Sequence, residues 1–150
     1  MLYLGSDHGG LPLKEAVKEL LDKRGIAFED CGTYNGDSVD YPDFGEKVAR
    51  GVSNGVAEKG LLFCGTGIGM SIVANKFPHV RAALATDVYM ARMAKEHNNA
   101  NILVLGGRVL DREKAKRMVA AWIDATFEGG RHQERLNKIE ALERELCGMK

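Results

Sequence analysis

Short apolar runs bounded by turn residues alternate along this chain with segments whose apolar positions recur three or four apart. Leu2 to Leu4, Ile26 to Glu29, Gly60 to Phe63, Arg81 to Ala85 and Ile102 to Leu105 are the short runs, and each predicts a strand. Between the first two, Leu13, Ala16, Val17, Leu20 and Leu21 keep helical spacing up to Lys23; Pro12 suits the first turn and Gly25 the stop. Further helices are predicted over Gly69 to Asn75, Val88 to Glu96 and Glu113 to Thr126, with a weaker pattern over Phe44 to Val52. Asp30 to Asp43 contains Gly32, Asn35, Gly36 and Pro42 and is predicted as a long loop. Strict alternation of strand and helix predicts an α/β fold: a five-stranded parallel sheet, helices on both faces in three layers, and right-handed crossovers. Ligands of such sheets bind beyond the carboxyl ends of the strands, where Asp7-His8, Cys64 to Gly69, Thr86-Asp87 and Gly106 to Arg108 fall.

After Gly129-Gly130 a charged helix runs from Arg131 to Leu146, with a narrow stripe of Leu136, Ile139, Leu142 and Leu146. Such a helix serves for packing on another subunit or on its own domain. No repeat, low-complexity tract or linker interrupts the 150 residues, so one domain over 1–150 is expected.

Composition narrows the classes of function. Lys plus Arg and Asp plus Glu number 21 each, so no global field favours nucleic acid or an anionic membrane, and any anion site is local. No apolar run reaches the roughly 20 residues of a membrane span, and the start reads as a first strand and not as a signal peptide. Cys31, Cys64 and Cys147 stand far apart without CxxC, against a zinc site or a disulfide framework, and a cytoplasmic place is the simplest fit. The four histidines show no HxxxH or HExxH spacing, which speaks against a metal. The glycine loop lacks both the dinucleotide spacing and the Lys-Ser or Lys-Thr of a P-loop.

What remains is local chemistry. Phe63-Cys64-Gly65-Thr66-Gly67-Ile68-Gly69 puts a thiol between a buried strand and a glycine-rich helix start. Backbone N–H groups gathered there favour a thiolate and an oxyanion; the alternative is a small buried residue on a tight turn. Arg131 and Arg135 project from one helix face and suit a phosphate clamp, or else form a solvated charge pair with Glu128 and Glu134. His132 points about 100° away from that face and is the weaker candidate. His8 can reach a ligand at the sheet edge beside Asp7, which also suits a helix cap. Tyr41 lines a pocket or anchors its loop. His97 and Asn98 close a helix, where the bland reading is a dipole partner and a cap.

Together, Gly5-Ser6-Asp7-His8-Gly9-Gly10, Asp40-Tyr41-Pro42, Cys64-Gly65-Thr66-Gly67-Ile68-Gly69, Ala74-Asn75-Lys76, His97-Asn98, Leu105-Gly106-Gly107-Arg108-Val109 and Gly129-Gly130-Arg131-His132 resemble the B-type ribose-5-phosphate isomerases. The likeness runs in order from residue 2 to about 145. It implies a Rossmann-like fold and metal-free, cofactor-free interconversion of ribose 5-phosphate and ribulose 5-phosphate through a cis-enediolate. By this resemblance Cys64 is the base, Thr66 assists proton exchange between the substrate oxygens, and His97 opens the sugar ring with Asp7. Gly65, Gly67, Gly69 and Asn98 bind the enediolate, and His8, Arg108, Arg131 and Arg135 grip phosphate. One branch of the family uses a Glu base where this chain has Met70, which cannot accept a proton, so the chain goes with the Cys-base branch. The resemblance also implies a homodimer or homotetramer with active sites between subunits. Two alternatives stay open. One is a six-carbon substrate such as allose 6-phosphate or galactose 6-phosphate, decided by pocket depth near Tyr41, Met70 and the arginines. The other is a non-catalytic sugar-phosphate sensor.

Overall fold

A computed structural model describes residues 1–147; the last three positions of the expected single domain, 148–150, lie outside the described residues. Five strands, β1 (Leu2–Ser6), β2 (Phe28–Asp30), β3 (Lys59–Cys64), β4 (Ala82–Leu84) and β5 (Ile102–Gly106), pair in the order β2-β1-β3-β5-β4, all parallel. The helices are α1 (Leu11–Lys23), α2 (Tyr41–Ser53), α3 (Ile68–Ala74), α4 (Val88–Glu96), α5 (Arg112–Asp124) and α6 (Arg131–Cys147).

Alternation along the central strands builds two cores. Leu2, Leu4, Leu61, Phe63, Leu103 and Leu105 face α1, α4 and α5, whose Leu13, Val17, Ala91, Met118 and Trp122 cover them. Leu62, Cys64, Ile102 and Val104 face the other way, against Val48, Ala49 and Val52 of α2 and Met70 and Ala74 of α3. Central strands buried on both faces need near-continuous apolar sequence, which is why β3 and β5 were legible. The second strand lies two residues later than its apolar signal. Register pairs Leu2 with Phe28 and Leu4 with Asp30, and Asp30 is held at its end by buried Lys14 of α1 at 2.6 Å and by Lys18 at 2.9 Å. Lys14 also donates to the carbonyl of Thr33.

The predicted loop over Asp30 to Asp43 is shorter than expected, since α2 starts at Tyr41 with Pro42 in its first turn. Proline there supplies a helical φ and loses no needed N–H, a start that the sparse apolar pattern of that turn hid. At the far end, α6 buries His132 and Leu136 on the body, while Ile139, Leu142 and Leu146 stay about half exposed or more.

Candidate active site

Strand order decides where chemistry can gather. After β1 the chain turns to α1 on one face, and after β3 to α3 on the other, which leaves a crevice above the carboxyl ends of these neighbours. Register sets Ser6 beside Phe63 and Cys64 beside Gly106. The loops then knit together: Asp7 N–H donates to the Phe63 carbonyl, Gly107 N–H to that of Cys64 and Arg108 N–H to that of Gly65, at 3.2, 2.8 and 2.9 Å.

Within this crevice Cys64 is buried, and its sulfur accepts the Gly67 N–H at 3.2 Å. That geometry needs the glycine: Gly67 has φ +85°, and a Cβ on it would stand 2.5 Å from Leu84 Cδ1. Thr66 is exposed, its Oγ1 accepting from Ile68 N–H at 3.2 Å. Asp7 is buried and accepts the Gly10 N–H at 3.0 Å, so its turn-closing role is real and leaves carboxylate capacity over. His8 accepts the Val39 N–H on Nδ1 at 3.1 Å, which in a neutral ring places the proton on Nε2, ready to donate outward. The Arg108 guanidinium lies over Gly65, where an added Cβ would be 3.2 Å from Nη1. The Tyr41 ring covers Gly69 so closely that a Cβ there would be 2.5 Å from it. Asp7, His8, Tyr41, Cys64, Gly65, Thr66, Gly67, Gly69 and Arg108 thus share one edge of the sheet. Met70, expected to help set pocket depth, is fully buried in the core.

The other predicted residues are elsewhere. His97 caps the carboxyl end of α4, just before β5, whose first residue Ile102 pairs with Gly60 near the start of β3. From Ile102 to Gly106, at the level of Cys64, is four strand steps, about 13 Å. His97 and Asn98 therefore belong to the amino edge, and α6 brings Arg131 and Arg135 beside them. Both arginines are exposed and make no ion pair among the described residues. Glu128, an available partner for them in the sequence, turns to two histidines instead: its Oε1 is 3.5 Å from His97 Nε2 and 3.3 Å from His132 Nε2. The segment is tied down by Glu128 N–H donating to the Glu96 carbonyl at 3.0 Å.

His132, the weaker candidate by helix geometry, belongs to this cluster as well. Its ring is buried and stacks on His97 with centroids 4.1 Å apart and planes 14° from parallel. Burial, followed by the neighbouring His97 and Arg131, pushes its pKa below the usual histidine range, against the pull of Glu128. The four-residue step from Glu128 to His132 was a signal available in the sequence. Although no metal-ligand spacing exists, donor atoms of His97, Glu128 and His132 lie within 4.8 Å of one another. Nearly parallel rings aim their lone pairs side by side and not at one point, as a tetrahedral ion would require, and both Nε2 atoms face the same Glu128 oxygen.

The family model described as Ribose/Galactose Isomerase matches residues 2–139. The chain belongs to this family. It is 43% identical over 142 residues to ribose-5-phosphate isomerase B of Escherichia coli, covering 95% of each chain. A solved structure of Clostridium thermocellum ribose-5-phosphate isomerase B matches with a TM-score of 0.94 and 50% identity, over 97% of this chain and 98% of that one. A D-erythrulose-4-phosphate isomerase of Pectobacterium atrosepticum is 39% identical over 140 residues, covering 92% of this chain and 91% of its own. The expected B-type kinship and Rossmann-like architecture are borne out, and the protein is an isomerase of this family's aldose–ketose kind.

Proposed function

We propose that this protein interconverts D-ribose 5-phosphate and D-ribulose 5-phosphate through a cis-enediolate, in the cytoplasm, as a step of pentose phosphate metabolism, and that two copies build each active site. The observation that carries the reading is the Cys64 sulfur held by the Gly67 N–H inside a loop of turned backbone, at the switch point of the sheet. Binding alone needs no carbon base, which favours an isomerase over a sensor.

In this mechanism His8 and Arg108 from one chain and Arg131 and Arg135 from the other hold the phosphate. His97, with Asp7, opens the furanose. Cys64 then takes the proton from C2 and returns it at C1, while Thr66 passes a proton between the two substrate oxygens. N–H groups of Gly65 and Gly69, with Asn98, carry the enediolate charge. The Gly67 N–H serves the sulfur, stabilising it when it carries negative charge. A single chain keeps Cys64 and His97 at opposite sheet edges, and in this reading a second copy supplies the other set. The half-exposed Ile139, Leu142 and Leu146 of α6 line an apolar groove with Phe77 and Pro78 and offer surface for that association, as a homodimer or homotetramer.

The test is turnover by chelator-treated protein on ribose 5-phosphate, allose 6-phosphate and erythrulose 4-phosphate, with Cys64→Ala as control. Cys64-dependent preference for the five-carbon sugar is expected. Preference for another length reassigns the substrate and keeps the mechanism; no turnover on any returns the sensor.

A further inference from the structure

The amino-edge cluster contains more than a phosphate clamp and a ring-opening histidine require. We propose that Glu128 and His132 are positioning residues that confine one proton to the His97 ring and so make it the acid for opening a cyclic sugar. This rests on the ring-opening role given to His97 above.

Two stacked imidazoles 4.1 Å apart cannot both be cations without strong repulsion. Arg131 and Arg135 of α6 oppose a second positive charge further, while Glu128 favours the first. Glu96 of α4 is engaged by Arg92 at 3.4 Å. The choice of ring follows from burial. His132 is 5% exposed, and its Nε2 makes no hydrogen bond of good geometry, although the Glu128 carboxylate is 3.3 Å away. A charge there is desolvated with little compensation. The His97 side chain is 36% exposed, with Glu128 Oε1 at 3.5 Å from its Nε2, so water and the carboxylate both reach a charge on that ring. His132, kept neutral, also fixes the His97 ring plane by stacking on it.

In the ring-opening step the C1–O4 bond breaks, its electron pair goes to O4, and O4 takes the proton from His97. The anomeric hydroxyl gives its proton to the Asp7 carboxylate as its O–H electron pair becomes the second C1–O bond. Ribulose 5-phosphate cannot form this ring, because its 5-oxygen is esterified and it is open in solution. Enolisation from the ketose side therefore bypasses the step.

That asymmetry supplies the experiment. His132→Phe keeps a stacking ring without nitrogens, and Glu128→Gln keeps shape without charge. For each variant, conversion of ribose 5-phosphate is compared with deuterium exchange at C1 of ribulose 5-phosphate in D₂O. The expected result is a roughly 10- to 100-fold loss in kcat from the aldose and exchange from the ketose within about twofold of wild type. Parallel loss of both activities, or full conversion by both variants, overturns the proposal. Wild-type protein inert toward both sugars overturns the isomerase reading itself, a distinguishable outcome.

Discussion

Cys31 is half-buried and Cys64 buried, and the polar groups around them differ. Cys31 is pushed up to about 11, first by burial and then by the carboxylates of Glu29 and Asp30. Its thiol stays protonated at neutral pH and is a poor nucleophile. Cys64 has an N–H donor on its sulfur and no carboxylate bonded to it among the described residues. Mass spectrometry after brief iodoacetamide treatment at pH 8 is expected to find Cys31 unmodified; rapid labelling there would contradict its assigned environment. Cys64→Ala is expected to lower kcat/KM by about 10² to 10⁴. The Cys64 to Gly69 site was legible because it is contiguous: a thiol, three glycines and a helix start act within one turn of chain. His132 was not, since helix geometry correctly turned it from the arginine face but could not reveal that α4 delivers a second histidine to the direction it faces.

At the scale of elements, α1 and β2 are joined by Lys14, Lys18 and Asp30. Burial would raise the Asp30 carboxyl, but hydrogen bonds from Lys14, the Gly32 N–H and Lys18 outweigh it and hold the group below the usual carboxylate range. Because the folded value is the lower one, this contribution is present above the unfolded pKa of about 3.9 and is lost as pH falls through the folded value. Asp30→Asn leaves Lys14 buried without its counter-charge and is expected to cost about 3 kcal/mol in urea unfolding at pH 7. The gap from wild type should narrow toward pH 3; a gap independent of pH would contradict the ion pair. On α6, Arg135→Ala is expected to raise KM for the sugar phosphate about tenfold or more with a smaller effect on kcat, because the arginine holds a group remote from the reacting carbons. A change confined to kcat would remove it from the clamp. Element boundaries were least legible where propensity is weak: α2 begins three residues before its apolar pattern, at a proline that periodicity does not register.

For the whole molecule, the division of chemistry between two sheet edges makes a concrete demand. Cys64→Ala and His97→Asn proteins are each expected to be nearly inactive. Mixed in equal amounts under conditions that exchange subunits, they should regain about a quarter of wild-type activity, since half the dimers are hybrid and each hybrid has one site intact. No recovery despite demonstrated hybrids would argue for a site complete within one chain. The amino-acid sequence by itself determined the parallel α/β fold, because both-face burial of β3 and β5 leaves an unmistakable apolar run. It also determined the cysteine loop, because that loop's conformation depends on adjacent glycines. Only the tertiary structure decided that His97, Arg131 and Arg135 stand at the edge opposite Cys64, that Glu128 serves histidines and not arginines, and that His132 is buried against His97. These follow from which way each helix carries the chain back across the sheet and from long-range packing of α6, and neither leaves a periodic trace in the residues concerned.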